Sequence, residues 1–405
     1  MKHQPRVLIF VNCYIPGFKG GGPIRSIENL VGCLGDKIDF RVVTADRDYR
    51  DRAPYAGVVV HKWVTVGGSV VCYLRPGLRG LAAMLRLLRR EEYDVLYLNS
   101  TFHRIYTLAP LLFWRLRLIP NVPVVVASRG ELARAALRLK RTKKSIFRFA
   151  INHLYKLYRG VVWQASTVHE EAEIREFLHD SATVRKVPVL VAPDVVNRAA
   201  SALQSVRRVK CPGKLDLIFV SRIARKKNLP YALQVLRRLR GDATLRIYGP
   251  IEDTPYWAEC RNEIASLPEN VKVLYGGLVQ HAEVPSLMAA SHVFLFPTLN
   301  ENFGHVVYEA LSQGCIAVIS DGTAWRNLAA AGAGWDLPLD RPDRYEAVLQ
   351  HCMDMDDEAF QAASARAVAA AHATSNNAEA VRQNFMLFND VRSIASQEHV
   401  GAAGD

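Results

Sequence analysis

The sequence has no long uninterrupted apolar segment. A membrane-spanning helix needs about 20 largely apolar residues, and the most apolar stretch, IYTLAPLLFWRLRLIPNVPVVVA, is broken by Pro110, Arg115, Arg117 and Pro120. At the amino terminus, MKHQPRVLIFVNCY has only VLIFV before Asn12, which is too short an apolar run for a secretory signal. We therefore expect no spanning helix, and we expect VLIFV to be a buried first strand.

Cysteines are few and scattered. The seven lie at positions 13, 33, 72, 211, 260, 315 and 352, and no two of them have the spacing of a metal site or of a redox motif. A reduced, cytosolic chain with buried thiols is the expectation. Low-complexity blocks and repeats of solenoid period are also absent from the sequence.

The size and the charge of the chain indicate two domains and an anionic partner. With 405 residues the chain is longer than one typical core supports. Lys and Arg number 52 against 39 acidic residues, which gives a formal charge of +13. Such an excess favours nucleic acid, a phosphorylated substrate or an anionic membrane surface as the partner.

Short apolar runs alternate with segments of helical spacing, which is typical of parallel sheets covered on both faces. The runs RVLIFV, FRVVTA, YDVLYLN and PVVVAS fill the first half, and LDLIFVS, ATLRIYG, NVKVLYG, HVFLFP and CIAVIS fill the second. Segments such as RGLAAMLRLLRREE and LPYALQVLRRLRGD lie between them. This pattern predicts an α/β fold of two Rossmann-like domains facing a cleft, with ligands beyond the carboxyl ends of the strands.

The domain boundaries follow from the polar segment NRAASALQSVRRVKCPGK. We predict a first domain over residues 1–196, a linker over 197–214 and a second domain over 215–379. We expect the tail 398–405 to be disordered.

Two segments that follow predicted strands suit an anionic ligand. YIPGFKGGGPIRSIENL places glycines at 20–22 ahead of a helix, where backbone can approach an anion closely. SRIARKKNLPYAL holds Arg222 and Lys227 after the first strand of the second half, and two such cations could clamp a diphosphate. A tight turn and a solvated basic loop are the alternatives.

NENFGHVVYEAL contains two glutamates, Glu301 and Glu309, with seven residues between them. HVFLFP predicts a strand ending at Pro297, TLNEN a turn, and FGHVVYEALSQG a helix ended by Gly314. Glu301 then lies in the loop and Glu309 in the first turns of the helix. A carboxylate can accept hydrogen bonds from two neighbouring sugar hydroxyls, so the pair could hold the hexose and the ribose of a nucleotide sugar. A helix-start acid and an unrelated surface acid are the alternative.

Taken together, SRIARKKN, ENFGHVVYEAL and GCIAVISDGTAWRNLAAAGAGWDLP resemble the retaining glycosyltransferases of family 4, which have the GT-B fold. The resemblance is strongest from about residue 215 to about residue 345. It implies a catalytic set in which Arg222 and Lys227 hold the donor diphosphate and Glu301 contacts the transferred sugar. It also implies that Glu309 binds the ribose, and that a helix near residues 380–397 packs back on the first domain. The other implied donor contacts are Gly21, Gly22, Gly249, Leu278, Asn302, Phe303 and Gly304.

The sequence departs from the family pattern at two places. Arg129 follows PVVVAS, where many members carry a histidine in the cleft. Arg129 and His103 are therefore the candidates for sugar or acceptor contacts. Asn228 stands after Lys227 at a position where glycine is usual.

Two Asp-x-Asp matches, DRD at 46–48 and DMD at 354–356, suggest a metal site only weakly. Neither adjoins the donor motifs, and matches this short arise by accident. The resemblance implies that no metal is needed, because Arg222, Lys227 and helix N-termini would neutralise the leaving diphosphate. We expect no cofactor beyond a nucleotide diphosphate sugar as co-substrate.

The segment 134–159 is densely basic, with nine Lys and Arg residues. An amphipathic helix lying on an anionic membrane is one interpretation, and a core-facing helix with a solvated back is the other. Nucleic acid is not expected, because stacking platforms and binding motifs are absent. The predicted membrane face comprises Lys140, Arg141, Lys143, Lys144 and Arg148.

The sequence thus predicts a metal-independent hexosyltransferase that is peripheral on the inner face of the plasma membrane. Its acceptor is expected to be a glycan on a polyprenyl diphosphate, in the assembly of exopolysaccharide, capsule or O-antigen. A GT-B transferase with a soluble acceptor, of the glycogen or sucrose type, is the close alternative. A non-catalytic two-domain ligand-binding protein is the distant one.

Overall fold

The computed structural model describes residues 4–132, 157–179, 187–197 and 208–401. The chain divides into two compact units. The first unit contains Met1–Asn197 together with Asn377–Asp405, and the second contains Arg198–Asn376.

The first unit is built on an eight-stranded sheet in the order β3-β4-β2-β1-β5-β6-β7-β8. Its neighbouring strands are parallel, except that β3 runs antiparallel to β4. The strands are β1 Arg6–Phe10, β2 Asp39–Ala45, β3 Trp63–Val66, β4 Ser69–Leu74, β5 Val95–Asn99, β6 Val124–Ala127, β7 Val162–Ala165 and β8 Val189–Val191. Its described helices are α1 Gly22–Leu34, α2 Leu78–Arg90, α3 Ala109–Arg115, α4 Val168–His179 and α11 Ala378–Gly401, and a wide π-type turn, Arg104–Leu108, leads into α3.

The second unit has a six-stranded parallel sheet in the order β11-β10-β9-β12-β13-β14. The strands are β9 Lys214–Val220, β10 Asp242–Tyr248, β11 Val271–Gly277, β12 Val293–Phe296, β13 Ile316–Ser320 and β14 Gly334–Leu337. Its described helices are α5 Leu229–Leu236, α6 Thr254–Ala265, α7 Val284–Ala289, α8 His305–Ser312, α9 Pro342–Asp354 and α10 Asp357–Ser375, with short 3₁₀ turns at Arg225–Lys227 and His281–Glu283.

Strand β1 shows why the predicted strands are apolar throughout. Its side chains alternate between two buried clusters: Leu8 and Phe10 pack into one, and Val7 and Ile9 pack into the other. A parallel strand covered on both faces has no solvent side, so it needs apolar residues at every position. The prediction of parallel α/β sheets is therefore confirmed.

All nine apolar runs named from the sequence are strands, and β3, β4, β7, β8 and β14 were missed. The β3–β4 hairpin turns through Gly67 and Gly68, a Gly-Gly signal that the sequence carried. Strands β7, β8 and β14 have four residues or fewer, which leaves little pattern to detect. Helix α5 ends at Leu236, earlier than the pattern LPYALQVLRRLRGD suggested.

The described end of the predicted linker is packed into the second unit. Arg208 donates to the carbonyl oxygens of Met288 and Gln313, each at 3.0 Å. The Lys210 ammonium donates to the carbonyl oxygens of Met353 and Met355 at 2.8 and 3.1 Å. These carbonyls lie at the carboxyl ends of helices, where the helix dipole favours a cation. Residues 208–213 are therefore a structural part of this unit, and the two cations are buried.

Helix α11 returns to the sheet of the first unit. Phe388 is fully buried, with its ring centroid 5.7 Å from that of Phe40 and 5.3 Å from that of Tyr97. Arg392 forms an ion pair with Asp94 at 3.2 Å. The helix extends to Gly401, into the stretch for which the sequence suggested disorder. Among the described residues, no helix combines the length and the apolar content needed to cross a bilayer.

We expect Phe388→Ala to lower the free energy of unfolding of the first unit by about 3–5 kcal/mol, because it leaves a cavity between α11 and the sheet. Met386 is 39% exposed on the same helix, and Met386→Ala should change stability by less than about 1 kcal/mol. Thermal and urea unfolding of both variants measures the difference. Equal stabilities would contradict the packing of Phe388 between α11 and the sheet.

Candidate functional site

Three loops meet at the carboxyl edge of the second sheet. They follow β9, β12 and β13. The backbone N–H of Leu299 donates to the carbonyl oxygen of Lys226 at 2.9 Å, and the Thr298 hydroxyl donates to the same oxygen at 3.0 Å. The N–H of Glu301 donates to the carbonyl oxygen of Gly322 at 2.7 Å. Segments far apart in sequence are thereby held in register around Glu301.

Lys227 and Glu301 form an ion pair at this edge. Their side chains are only 12% and 18% exposed, and the ammonium lies 5.2 Å from the centroid of the Phe296 ring. Burial alone would raise the pKa of Glu301, but Lys227, with Lys226 and Arg222, outweighs burial and holds that pKa below its ordinary value. Glu301 is thus an ionised acceptor at neutral pH.

The turn that carries Lys227 ends at Asn228, which adopts φ 57° and ψ 42°. This is the left-handed region that glycine enters without strain and that asparagine tolerates better than most residues. Asn228 therefore adopts the backbone conformation that glycine, usual at this position, would adopt. Pro230 follows in the first turn of α5.

Arg222 and Lys227 lie in the same loop but are paired with different acids. Arg222 is 34% exposed and donates to Glu252 at 2.7 Å. Arg225, between them, faces away and pairs with Glu259. Part of the basic loop is therefore engaged in exposed ion pairs, as the solvated-loop alternative required, while Lys227 is drawn inward.

The amino end of α8 lies beside Glu301. Gly304 precedes the helix with φ 78°, and a Cβ there would be 3.3 Å from Glu301 Cγ. The Phe303 ring centroid is 4.7 Å from that of His305 and 6.0 Å from that of Trp325. The N–H of Val307 donates to the carbonyl oxygen of Gly304 at 2.8 Å, and the positive end of the helix dipole here favours an anionic ligand. Asn302 is partly exposed in the same loop.

Glu309 lies farther along α8 and is 17% exposed. Its carboxylate is 3.8 Å from Nε2 of His281, which belongs to the 3₁₀ turn after β11. The structure thus places both glutamates at one end of the second sheet, as the sequence predicted, although their neighbours differ.

Gly249 must be a glycine for a steric reason. Its φ is 136°, and a Cβ would be 1.9 Å from the carbonyl oxygen of Ser221. Its N–H donates to the carbonyl oxygen of Gly277 at 2.8 Å, which aligns the ends of β10 and β11. Leu278 follows and is 45% exposed, so an apolar side chain is available to a ligand at this edge.

In the first unit, the glycine-rich loop is held by an aspartate of the DRD match. Asp48 is buried and accepts from the N–H groups of Phe18 and Lys19 at 2.8 and 3.1 Å. A Cβ on Gly21 or Gly22 would meet open space. The face of the loop at these two glycines is therefore accessible.

Arg129, a candidate sugar or acceptor contact, is instead buried in a network. It forms an ion pair with Asp194 and donates to Tyr97 Oη at 2.8 Å and to Asn99 Oδ1 at 2.8 and 3.1 Å. Asp194 also accepts from the Ser26 hydroxyl at 3.0 Å. The guanidinium thus joins β5, the loop after β8 and α1.

His103 lies in a different setting, where it lines a cavity of about 500 Å³ in the first unit. Its Nδ1 accepts from the N–H of Tyr106 at 3.0 Å, and burial lowers the pKa of its ring. The ring is therefore neutral at pH 7 with its proton on Nε2, so it can donate one hydrogen bond.

The second Asp-x-Asp match, like the first, has local structural partners. Asp356 accepts from the N–H of Ala359 at 2.8 Å and caps α10, and Asp354 accepts from Gln350 at 2.9 Å. Within the described ranges no group of three or more His, Cys, Asp or Glu side chains is arranged to hold a metal ion.

Trp325 and Asp194 were not among the residues predicted for the site. Trp325 lies in the loop after β13, is 8% exposed, and its indole N–H is buried without a partner among the described residues. Its place after a strand was the available signal. The predicted membrane face, Lys140, Arg141, Lys143, Lys144 and Arg148, lies outside the described residues.

Two family descriptions match the chain. Residues 205–359 match "Glycosyl transferases group 1", and residues 21–194 match "Glycosyl transferase 4-like domain". The chain is also 30% identical to a 2-deoxystreptamine glucosyltransferase of Streptomyces kanamyceticus over 135 residues, which is 31% of this chain and 34% of that relative. It therefore aligns with only about a third of that relative's length.

Solved structures share the fold over nearly the whole chain. HepE of Anabaena in complex with UDP-glucose has a TM-score of 0.66 at 14% identity, covering 95% of this chain and 99% of that one. Sucrose-phosphate synthase from Thermosynechococcus elongatus has a TM-score of 0.70 at 14% identity, covering 97% and 100%. With a transferase family model matched in each unit and this shared architecture, the chain belongs to the family-4-like glycosyltransferases of the GT-B fold.

Proposed function

We propose that this glycosyltransferase moves a hexose from a nucleotide diphosphate sugar to a glycan acceptor with retention of configuration. The observation that carries the proposal is the inward-facing Lys227–Glu301 ion pair beside the amino end of α8. An ionised, partly buried carboxylate can accept hydrogen bonds from sugar hydroxyls. An ammonium and a helix N-terminus next to it suit a diphosphate.

The roles follow from the chemistry of each group. Lys227 and Arg222 would bind the diphosphate, and each would exchange or share its present carboxylate partner when donor binds. Glu301 would hold the hexose and Glu309 the ribose. Gly249 and Leu278 would border the nucleobase, because the one allows close backbone approach and the other offers apolar contact.

The transfer step needs no side-chain nucleophile. The bond between the anomeric carbon and the diphosphate oxygen breaks, and the bond to the acceptor oxygen forms on the same face of the sugar. The departing phosphate oxygen takes the acceptor proton. The cations and helix amides stabilise the charge that develops on that oxygen, so we propose a reaction without a metal ion, active in excess EDTA.

The neighbours support a nucleotide hexose as donor. One is a structure of HepE with UDP-glucose, and another is a trehalose-6-phosphate enzyme from E. coli bound with UDP-2-fluoro glucose, at 11% identity and a TM-score of 0.64 over 96% of this chain. The partial relative is called a glucosyltransferase. These names make glucose from a uridine nucleotide the first donor to assay.

For the acceptor we propose a lipid-linked glycan of polysaccharide assembly, taken up by an enzyme peripheral on the cytoplasmic face of the plasma membrane. Four large apolar side chains on and beside α3 are exposed: Ile105, Leu112, Leu116 and Leu118. No acidic residue occurs between positions 95 and 130. Exposed apolar side chains among cations are typical of a surface that contacts anionic lipid.

A soluble acceptor is the second candidate. It is favoured by the likeness to sucrose-phosphate synthase over nearly the whole chain. The two candidates differ in whether turnover depends on a membrane.

Glu301→Gln should lower the transfer rate by about 100-fold or more, because the amide cannot replace a charged acceptor that strengthens as the transition state forms. Binding of the bare nucleoside diphosphate should change little, since Glu301 is proposed to face the sugar. Transfer assays with nucleotide sugars, with and without EDTA, and isothermal titration with the diphosphate separate the two effects. If diphosphate binding is lost together with activity, Glu301 does not have this role.

Lys227→Ala and Arg222→Ala should each weaken donor binding by about 1.5–3 kcal/mol, which is the value of one charge-assisted hydrogen bond. Arg225→Ala is the matched control, because Arg225 is in the same loop and pairs with an exposed Glu259. Its effect on donor binding should be small. If all three variants bind the donor like the parent, or all three lose binding equally, then Lys227 and Arg222 have no special role in donor binding.

The membrane proposal predicts binding to anionic vesicles that weakens steeply with salt, because the attraction decays over a Debye length of about 10 Å at 0.1 M. Two variants test this. One combines Lys140→Glu, Arg141→Glu, Lys143→Glu and Lys144→Glu, and the other combines Leu112→Gln and Leu116→Gln. Each should reduce co-sedimentation with the vesicles and turnover of a lipid acceptor. A short water-soluble acceptor should be used at the parent rate. Unchanged sedimentation of both variants would favour the soluble-acceptor candidate.

A further inference from the structure

The cavity of about 500 Å³ in the first unit lies at the carboxyl ends of β1, β2, β4 and β5. Asn12, Ala45, Leu74 and His103 line it from these four directions. Ligands of open parallel sheets bind at this edge. None of the residues proposed for donor binding lines this cavity.

The wall of the cavity is largely apolar. The larger apolar and aromatic side chains that line it include Leu74, Leu78, Leu81, Met84, Ile105 and Tyr106. Leu78 is 85% exposed and Ile105 is 39% exposed. Leu78 is the first residue of α2, and Ile105 is the second residue of the π-type turn. A hydrocarbon ligand would bury apolar surface against this wall, and a polar ligand would not.

Three arginines, Arg47, Arg50 and Arg75, also line the cavity, and Arg47 is paired with the buried Asp46 at 2.8 Å. The two carboxylates there are already engaged: Asp48 by backbone N–H groups and Asp51 by the Lys19 ammonium at 2.7 Å. Arg75 is exposed, and within the described ranges it makes no hydrogen bond or ion pair through its side chain. The cavity therefore joins an apolar wall to a cationic rim.

The apolar surface continues from the cavity onto the protein exterior. Ile105 lines the cavity, and Leu112 and Leu116 follow it at helical spacing with 45% and 59% exposure. A hydrocarbon chain leaving the cavity past Ile105 would thus remain in contact with apolar side chains. A ligand that is polar throughout would gain nothing from this continuity.

We propose that this cavity binds the phosphate-bearing end of a lipid acceptor, with phosphate at the arginine rim and the first hydrocarbon units against the apolar wall. The proposal rests on the proposed function in taking the acceptor as the occupant. His103 can donate from Nε2 to a phosphate or sugar oxygen. A soluble sugar phosphate could pair with the arginines, but it would leave the apolar side chains of the wall without an apolar partner.

The test is isothermal titration of the full chain with farnesyl diphosphate, inorganic pyrophosphate and farnesol. The donor site is blocked by saturating whichever of the uridine, adenosine and guanosine diphosphates binds most tightly. Farnesyl diphosphate should bind at least tenfold more tightly than pyrophosphate or farnesol, because only it has both parts.

Variants at exposed positions avoid damage to the core. Leu78→Gln with Ile105→Gln should weaken farnesyl diphosphate binding about tenfold, the effect expected when ~1.4 kcal/mol of apolar contact is lost. Arg75→Gln should weaken it severalfold. Val168→Gln, at a 73% exposed position of the same unit, and Arg90→Gln, at the far end of α2, are the matched controls and should bind like the parent.

Equal binding of farnesyl diphosphate and pyrophosphate would overturn the proposal and make the cavity a site for free phosphate. Unchanged binding by the Leu78 and Ile105 double variant would overturn it as well. Failure of every nucleoside diphosphate to bind, with farnesyl diphosphate binding as expected, would count against the proposed donor site and leave the cavity assignment standing.

Discussion

The ion pair between Lys227 and Glu301 joins residues 74 positions apart, and the organisation of the second unit makes that contact possible. Strands β9 and β12 are parallel neighbours in the sheet, so the loops that follow them emerge side by side at the same edge. The pair is only slightly exposed, and a charge in such a place needs a partner. Lys227 therefore stabilises the ionised form of Glu301.

That pairing also suits the proposed chemistry. A donor sugar diphosphate has anionic phosphates next to neutral hydroxyls. In the proposed complex the phosphates would take part of the Lys227 contact and the hydroxyls part of the Glu301 contact, and because the two groups are already side by side, little rearrangement would be needed. The amino end of α8 adds fixed N–H donors whose orientation is set by the backbone. The indole N–H of Trp325, which has no partner among the described residues, lies beside Gly304 and is one more possible donor to a ligand oxygen.

The first unit uses its carboxyl edge in two different ways. Near β5 and β6 the edge is closed by Arg129, whose guanidinium binds Asp194, Tyr97 and Asn99. A buried arginine needs several acceptors, and here they come from separate elements, so the network fixes their relative positions. Beside β2 and β4 the edge is open, and the cavity with His103 lies there. Arg129, after β6, is thus buried in a closed network, whereas His103, after the neighbouring strand β5, faces an open cavity.

Much of the fold was predictable, because strands covered on both faces must be apolar and the alternation with helices requires parallel sheets. The positions of the proposed donor motifs at the carboxyl ends of strands were predictable for the same reason, since each motif follows an apolar run. The β3–β4 hairpin and the short strands were missed because their patterns are brief. The partners of Arg129 and Arg208 were also missed, because contacts across long stretches of chain leave no local periodicity.

The sequence by itself determined the α/β class, the strands at the centre of both sheets and the placement of Glu301, Glu309, Arg222 and Lys227 after or within elements at one edge. Only the tertiary structure decided that Lys227 turns inward to Glu301 while Arg222 pairs with Glu252, and that Arg129 is buried while His103 lines a cavity. The physical reason is that periodicity records which face of an element is apolar. The partner of a charged side chain depends on which distant loops the strand order brings together.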